Sequence, residues 1–102
     1  MAFDGTEGGE ISLRLGADMT AAYRDQNSGA RKAHFFGKDI LNEILNQEGC
    51  MGIRMYYGLN SDDERELVLV GADANENDMT SLVADLSLPC PNTCDTNSPL
   101  NK

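Results

Sequence analysis

Apolar side chains occupy every second position across residues 50–59, a pattern that few structures other than an extended strand can satisfy. The apolar positions are Met51, Ile53, Met55, Tyr57 and Leu59, and those between them are Cys50, Gly52, Arg54, Tyr56 and Gly58. Successive side chains of a β-strand point to opposite faces, so this period of two predicts a strand with one apolar face. We expect that face to lie in the core.

A second strand is predicted for residues 65–72. Its centre, residues 67–70, reads Leu-Val-Leu-Val and is apolar on both faces, which is typical of an interior strand covered on each side. The turn-forming residues 60–63 separate it from the first strand. The two segments are therefore expected to form an antiparallel β-hairpin.

Two earlier segments have the spacing of amphipathic helices. The first runs from an N-cap at Ser12 to Gln26, and its apolar face comprises Leu15, Met19, Ala22 and Tyr23. The second covers residues 38–47, with Gly49 as its left-handed terminator, and its apolar stripe comprises Ile40, Leu41, Ile44 and Leu45. Both helices are expected to pack on the hairpin.

Two shorter segments are less regular. Residues 33–36 fit a short strand or an extended entry to the second helix. Residues 79–86 carry Met79, Leu82, Val83 and Leu86 at helical spacing, with Asp78 as an N-cap, and predict a short third helix. The predicted fold class is α+β: two N-terminal helices on a small antiparallel sheet. A flexible arm (residues 1–10) precedes this single domain (residues 11–88), and a Cys- and Pro-containing tail (residues 89–102) follows it.

The chain is strongly acidic, with a formal net charge of −9. Such a charge repels phosphate backbones and anionic lipid headgroups, so nucleic acid and membrane surfaces are not expected partners. Carboxylates concentrate in residues 62–78, whereas basic residues concentrate in residues 24–38. This uneven distribution either steers a basic protein partner or simply keeps two loops solvated.

Nothing in the sequence resembles a secretory signal or a membrane span, so we expect a soluble, cytoplasmic protein unless a signal has been removed. Three cysteines cannot all pair within one chain, which agrees with a reducing compartment.

The cysteines leave three alternatives open. Cys90 and Cys94 have a spacing that zinc sites use, and Cys50 with His34 would complete four ligands. A Cys90–Cys94 disulfide is the second alternative. The sequence favours the third, ordinary reduced thiols, because a cytoplasmic chain normally keeps its cysteines reduced.

No catalytic pattern is convincing, and we do not expect an enzyme. His34 and Cys50 have the chemistry of a base and a nucleophile, but no spacing indicates an orienting third residue. The acidic turn at residues 73–78 begins like a calcium loop, yet Asp78 and Ala84 stand where glycine and a bidentate glutamate are required. We expect a hydrogen-bonded Asx turn there.

Arg54 and Tyr56 are the candidate partner-binding residues. They stand two positions apart on the predicted non-core face of the first strand, between Gly52 and Gly58, and both residue types are enriched in interfaces. The structural alternative is that Arg54 pairs with Glu66 across the hairpin while Tyr56 packs under a helix.

Three segments carry a resemblance: GCMGIRMYYGL (residues 49–59), LVLVG (residues 67–71) and PCP with Cys94 (residues 89–94). With Phe35-Phe36-Gly37-Lys38, they make residues 33–94 similar to a group of small uncharacterised bacterial proteins. The resemblance implies a shared architecture and supplies no activity. Members of the group often have a glycine in the turn where this chain has Ala74 and Glu76.

The function expected from the sequence is a noncatalytic protein-interaction or accessory domain that uses no cofactor. The alternative is a small metal-binding or thiol/disulfide protein that uses Cys90 and Cys94, with zinc as the metal.

Overall fold

The computed structural model describes residues 2–101 and has an α+β fold, as predicted. Its elements in chain order are α1 (Leu13–Gln26), β1 (Ala33–Phe35), α2 (Lys38–Leu45), β2 (Cys50–Leu59), β3 (Arg65–Asp73), β4 (Asp78–Ala84) and β5 (Leu88–Cys90). Met1 of the predicted arm and Lys102 of the predicted tail lie outside the described residues. Neither α1 nor α2 has the length and apolar character needed to cross a membrane.

The described residues group into two compact units. The first contains residues 2–8 and 36–87, and the second contains residues 9–35 and 88–101. The β-hairpin belongs to the first unit and α1 to the second. The predicted division into arm, domain and tail stays a prediction.

The first unit is built on an antiparallel sheet of order β2-β3-β4. The predicted hairpin is confirmed, because β2 and β3 pair continuously from Gly52 opposite Ala72 to Leu59 opposite Arg65. The predicted interior position of the second strand is also confirmed: β3 is central, and both Leu69 and Val70, which face opposite sides, are buried.

The predicted third helix at residues 79–86 is wrong, because this segment contains strand β4. Met79 lies opposite Gly71 and Val83 lies opposite Val70, so two adjacent residues of β3 face residues of β4 that are four positions apart. Residues 80–82 therefore form an irregularity in the strand. Because of this irregularity, Met79 and Val83 are four positions apart in the sequence, which is also the spacing of one helical turn. The helical spacing of the apolar residues in this segment therefore does not indicate a helix.

Helix α2 covers one face of the sheet at the start of β2. Ile44 is fully buried against Leu69 and Ala84, and Phe36, Ile40 and Leu41 are among the partly buried side chains around this cluster. Gly71 allows the close approach, because a Cβ there would stand 3.0 Å from Cys50 Sγ and 3.3 Å from Ile44 Cγ2. The predicted stripe of the second helix is thus confirmed for Ile40, Leu41 and Ile44, whereas its fourth member, Leu45, is exposed.

The apolar face of β2, which the sequence predicts to be buried along its whole length, is covered only over its first half. A helix of eight residues is roughly 12 Å long, whereas a strand of ten residues extends roughly 33 Å. Met51 and Ile53 are half-buried near α2, but Met55, Tyr57 and Leu59 are exposed. The prediction that all five positions belong to the core is wrong for these three.

The second unit contains α1 and a two-stranded sheet in which β1 pairs with β5. The predicted N-cap is confirmed: the Ser12 hydroxyl accepts a hydrogen bond from the amide of Leu15 at 3.0 Å. The Tyr23 hydroxyl donates to the carbonyl of Arg31 at 3.1 Å, which connects α1 to the segment before β1. The packing of α1 on the hairpin stays a prediction.

Candidate functional site

A three-residue polar cluster spans the sheet of the first unit, and we call Arg54, Tyr56 and Asp78 the cross-sheet cluster. Arg54 Nη1 donates to Asp78 Oδ1 at 2.5 Å, and the Tyr56 hydroxyl donates to Asp78 Oδ2 at 2.6 Å. Both oxygens of one carboxylate are therefore used, one by a cation and one by a phenol.

Strand geometry explains how these residues meet. Arg54 and Tyr56 are on β2 and Asp78 is on β4, two strands away, which places the backbones roughly 10 Å apart. Gly52 and Asp78 both lie opposite Ala72 of β3, so the row between them carries no bulky side chain. Long side chains from β2 can therefore reach the carboxylate across the central strand.

The N-terminal segment of the first unit lies against the same cluster. The Phe3 ring centroid is 5.4 Å from the Arg54 guanidinium carbon, a cation–π distance. The Phe3 amide donates to the carbonyl of Ala74 at 3.0 Å, and Arg54 also donates to the carbonyl of Glu76 at 3.2 Å. Arg54 thus joins the N-terminal segment, β2 and the turn between β3 and β4.

The hydrogen bonds shift the protonation equilibria of the cluster. The hydrogen bond from Tyr56 and the interaction with Arg54 lower the pKa of Asp78 below its ordinary value. The hydrogen bond to Asp78 raises the pKa of Tyr56, because ionised Tyr56 could not donate it. Asp78 also raises the pKa of Arg54. At neutral pH the cluster is an ion pair with a protonated phenol beside it.

A cavity of about 460 Å³ adjoins Arg54. Its other linings include Phe3, Glu7, Leu45 and Gly52. The Glu7 carboxylate already accepts hydrogen bonds from the amides of Asp4 and Gly5 at 3.0 Å each. The two charged side chains of this lining, Arg54 and Glu7, therefore already have hydrogen-bond partners within the chain.

The structural alternative for Arg54 and Tyr56 is wrong. Arg54 pairs with Asp78 and not with Glu66, and Tyr56 is about half exposed and not packed under a helix. Their predicted role in partner binding stays a prediction. Asp78 and Phe3 were missed at the sequence level: Asp78 was interpreted as an N-cap, and Phe3 stands in a segment without apolar periodicity.

The opposite face of β2 carries an exposed apolar row, which we define as Met55, Tyr57 and Leu59. Their side chains are 56%, 95% and 67% exposed, respectively. Because they alternate with Tyr56 and Gly58, all three project from the α2 side of the sheet, beyond the part that α2 covers. An exposed row of large apolar side chains on one strand is the type of surface that marks an interaction site.

The turn between β3 and β4 is the predicted Asx turn. Asp73 Oδ1 accepts hydrogen bonds from the amides of Asn75 and Asn77 at 2.9 and 3.0 Å. Glu76 in this turn has a φ of +69°, a conformation that glycine adopts without strain. The glycine expected in this turn from the resemblance would therefore suit its backbone.

Cys90 and Cys94 form a disulfide, so the reduced thiols that the sequence favours are wrong for this pair. The half-cystine Cys90 is buried in β5. In this state neither sulfur is available to zinc. Cys50 is a free thiol in the first unit, and its Sγ donates to the carbonyl of Gly52 at 3.2 Å.

His34 lies on β1 opposite Pro89 in the second unit. Within residues 2–101, no group of three or more His, Cys, Asp or Glu side chains is placed to hold a metal ion. The zinc site proposed for Cys90, Cys94, Cys50 and His34 stays a prediction for the reduced chain.

No protein-family model matches the sequence, and no curated protein or solved structure matches it. The resemblance of residues 33–94 to small uncharacterised bacterial proteins stays a prediction.

Proposed function

We propose that this chain is a noncatalytic protein-interaction domain, and that a protein partner binds the apolar row of β2. The observation that carries the proposal is the row itself: three large apolar side chains stand on one face of a regular strand, where α2 ends too early to cover them. Burying such side chains is worth about 1.5 to 3 kcal/mol each in transfer free energy, which gives an interface a source of affinity.

The charge of the chain supports a protein partner that is basic. A net charge of −9 disfavours nucleic acid and anionic membranes, and it accelerates association with a positively charged protein. The turn between β2 and β3, residues 60–64, lies at the end of the apolar row and contains three carboxylates, Asp62, Asp63 and Glu64, and no basic side chain.

Neighbouring tyrosines on opposite faces provide a matched test. The tagged chain is used to capture partners from its native cell, with Tyr57→Ala and Tyr56→Ala variants in parallel. We expect Tyr57→Ala to lose the partner and Tyr56→Ala to retain it. The reverse result would favour the face of Arg54 and Tyr56 predicted from the sequence. Retention by both variants would contradict binding through either face of the hairpin.

The second candidate function is a small thiol/disulfide protein, and the Cys90–Cys94 disulfide favours it. The burial of Cys90 favours a structural disulfide instead, because a reactive sulfur must be accessible. Intact mass with and without reductant and chelator separates these functions. Rapid reduction, followed by retention of zinc, would support a thiol or metal role; slow reduction would support the structural role.

The cytoplasmic location also remains a proposal. A cytosolic pool of thiols normally reduces disulfides unless they are protected, so the state of Cys90 and Cys94 in the cell bears on the compartment. Trapping free thiols with an alkylating reagent at the moment of cell lysis, followed by mass analysis, tests it. A fully alkylated pair is expected of a reducing compartment, and an intact disulfide would argue against one.

A further inference from the structure

Strand β2 is an open edge of the three-stranded sheet. Among residues 2–101, the order β2-β3-β4 leaves one side of β2 without a neighbouring strand in the sheet. From Gly52 to Leu59 its pairing with β3 is continuous, and its only irregularity lies at its beginning, between Cys50 and Gly52. Strand β4, the other edge, is interrupted by residues 80–82. Irregularities of this kind blunt an edge, so β2 is the more receptive of the two.

The start of β2 has an irregularity and lies near Gly5, but the part from Ile53 to Leu59 lacks the usual side-chain protections of an edge strand. Natural proteins protect exposed edges with lysine, proline or inward-pointing charges. Residues 50–59 contain no lysine, proline, aspartate or glutamate, and their one charged side chain, Arg54, is held by Asp78. An edge that is regular, apolar and without net charge would aggregate unless a partner occupied it.

We propose that the edge of β2 accepts an extended segment of a basic partner protein, which adds as a fourth strand. This inference rests on the proposed function and specifies how the partner binds. Main-chain hydrogen bonds to β2 supply affinity, and alternate side chains of the added strand lie beside Met55, Tyr57 and Leu59. The partner segment is therefore apolar at every second position on that face.

Charge complementarity identifies the ends of the segment. The turn at residues 60–64 has three carboxylates and no basic side chain, so a segment that extends past Leu59 meets negative charge. A partner segment with lysine or arginine next to its apolar stretch would complement this acidic turn. A second copy of this chain fits poorly, because each copy carries a net charge of −9 and the two would repel.

Backbone methylation of a synthetic peptide tests the inference. The probe has alternating valine and threonine flanked by lysines, and its binding to the full-length, isotope-labelled chain is followed by nuclear magnetic resonance. Two further peptides carry N-methyl groups on every valine amide or on every threonine amide. In an added strand only one of these sets faces β2. We expect one methylated peptide to lose at least about tenfold in affinity and the other to bind like the parent.

Slowed amide exchange within residues 52–59 is expected in the complex, and a glutamate-flanked peptide is expected to bind more weakly, with a difference that shrinks as salt is added. Equal effects of the two methylations, or no binding by the parent peptide, would overturn strand addition. So would a concentration-dependent dimer with protected β2 amides in sedimentation and exchange measurements, since a second copy would then occupy the edge. The proposed function has its own test: loss of the partner from Tyr57→Ala would leave it standing even if strand addition failed.

Discussion

The carboxylate of Asp78 on β4 lies 2.5 Å from the guanidinium of Arg54 on β2, with the central strand β3 between their backbones. This ion pair connects the two edges of the sheet on one face. On the other face, α2 packs across the sheet, but it contacts β2 only near the start of that strand. The half of β2 beyond α2 is therefore attached to the sheet mainly by its pairing with β3 and by the cross-sheet cluster.

Replacing Asp78 with asparagine should make stability less dependent on acid pH. The pKa of Asp78 is lowered in the folded chain, chiefly by the hydrogen bond from Tyr56, from an ordinary value of 3.8. As the pH falls, the unfolded chain therefore binds a proton at this carboxylate before the folded chain does. The stabilisation of the folded chain by ionised Asp78 is complete above the unfolded pKa and is lost as the pH falls through the folded pKa. Melting temperatures at several pH values check this.

We expect Asp78→Asn to be less stable than the parent chain at pH 7 and to approach it below about pH 4. Asp62→Asn in the hairpin turn is a suitable control, because this side chain is outside the cross-sheet cluster. If the difference in melting temperature between Asp78→Asn and the parent chain stayed constant down to pH 2, the ion pair would not be the source of the stabilisation.

Gly71→Ala should destabilise the chain by about 1 to 3 kcal/mol, the usual cost of overpacking. The new Cβ would stand 2.9 Å from Gln47 Nε2 and 3.0 Å from Cys50 Sγ, where α2 approaches the sheet. Gly52→Ala is the matched control, since a Cβ at Gly52 meets nothing within 4 Å. Urea denaturation should give a clear loss for the first variant and little change for the second. If the two variants lost the same amount of stability, α2 would be able to move away from the new Cβ at little cost.

Glu76→Gly should stabilise the chain by about 0.5 to 1 kcal/mol. Glu76 has a φ of +69°, where a side chain is strained, and glycine removes that strain at some cost in unfolded-state entropy. The carbonyl that accepts from Arg54 remains in the variant. Thermal unfolding checks the sign, and Glu76→Ala, which keeps a Cβ, serves as control. A gain of the same size in Glu76→Ala would mean that the side-chain charge, not the backbone, is responsible.

Removing the disulfide by Cys94→Ser should cost about 2 kcal/mol, as the closure of so short a loop predicts. The effect is expected in the second unit, where β5 pairs with β1. Reductant should lower the melting temperature of the parent chain and leave that of Cys94→Ser unchanged. Sensitivity of the variant to reductant would indicate a different disulfide.

The elements with strong local patterns could be predicted from the sequence alone. The alternation in residues 50–59 determines β2, the double-sided apolar run determines the buried β3, and Ser12 determines the start of α1. Each of these features depends on neighbours within one strand or one helical turn, so the order of residues contains the information that the backbone needs.

Tertiary structure decided the rest. Asp78 meets Arg54 because β2 and β4 both pair with β3 in one particular register, which no local pattern encodes. The irregularity in β4 imitates helical spacing, and Cys90 pairs with Cys94 because β5 and the following turn bring them together. The exposure of Tyr57 follows from the length of α2 relative to β2. Pattern shows which side of a strand is apolar, but only the extent of the covering layer decides how much of that side is buried.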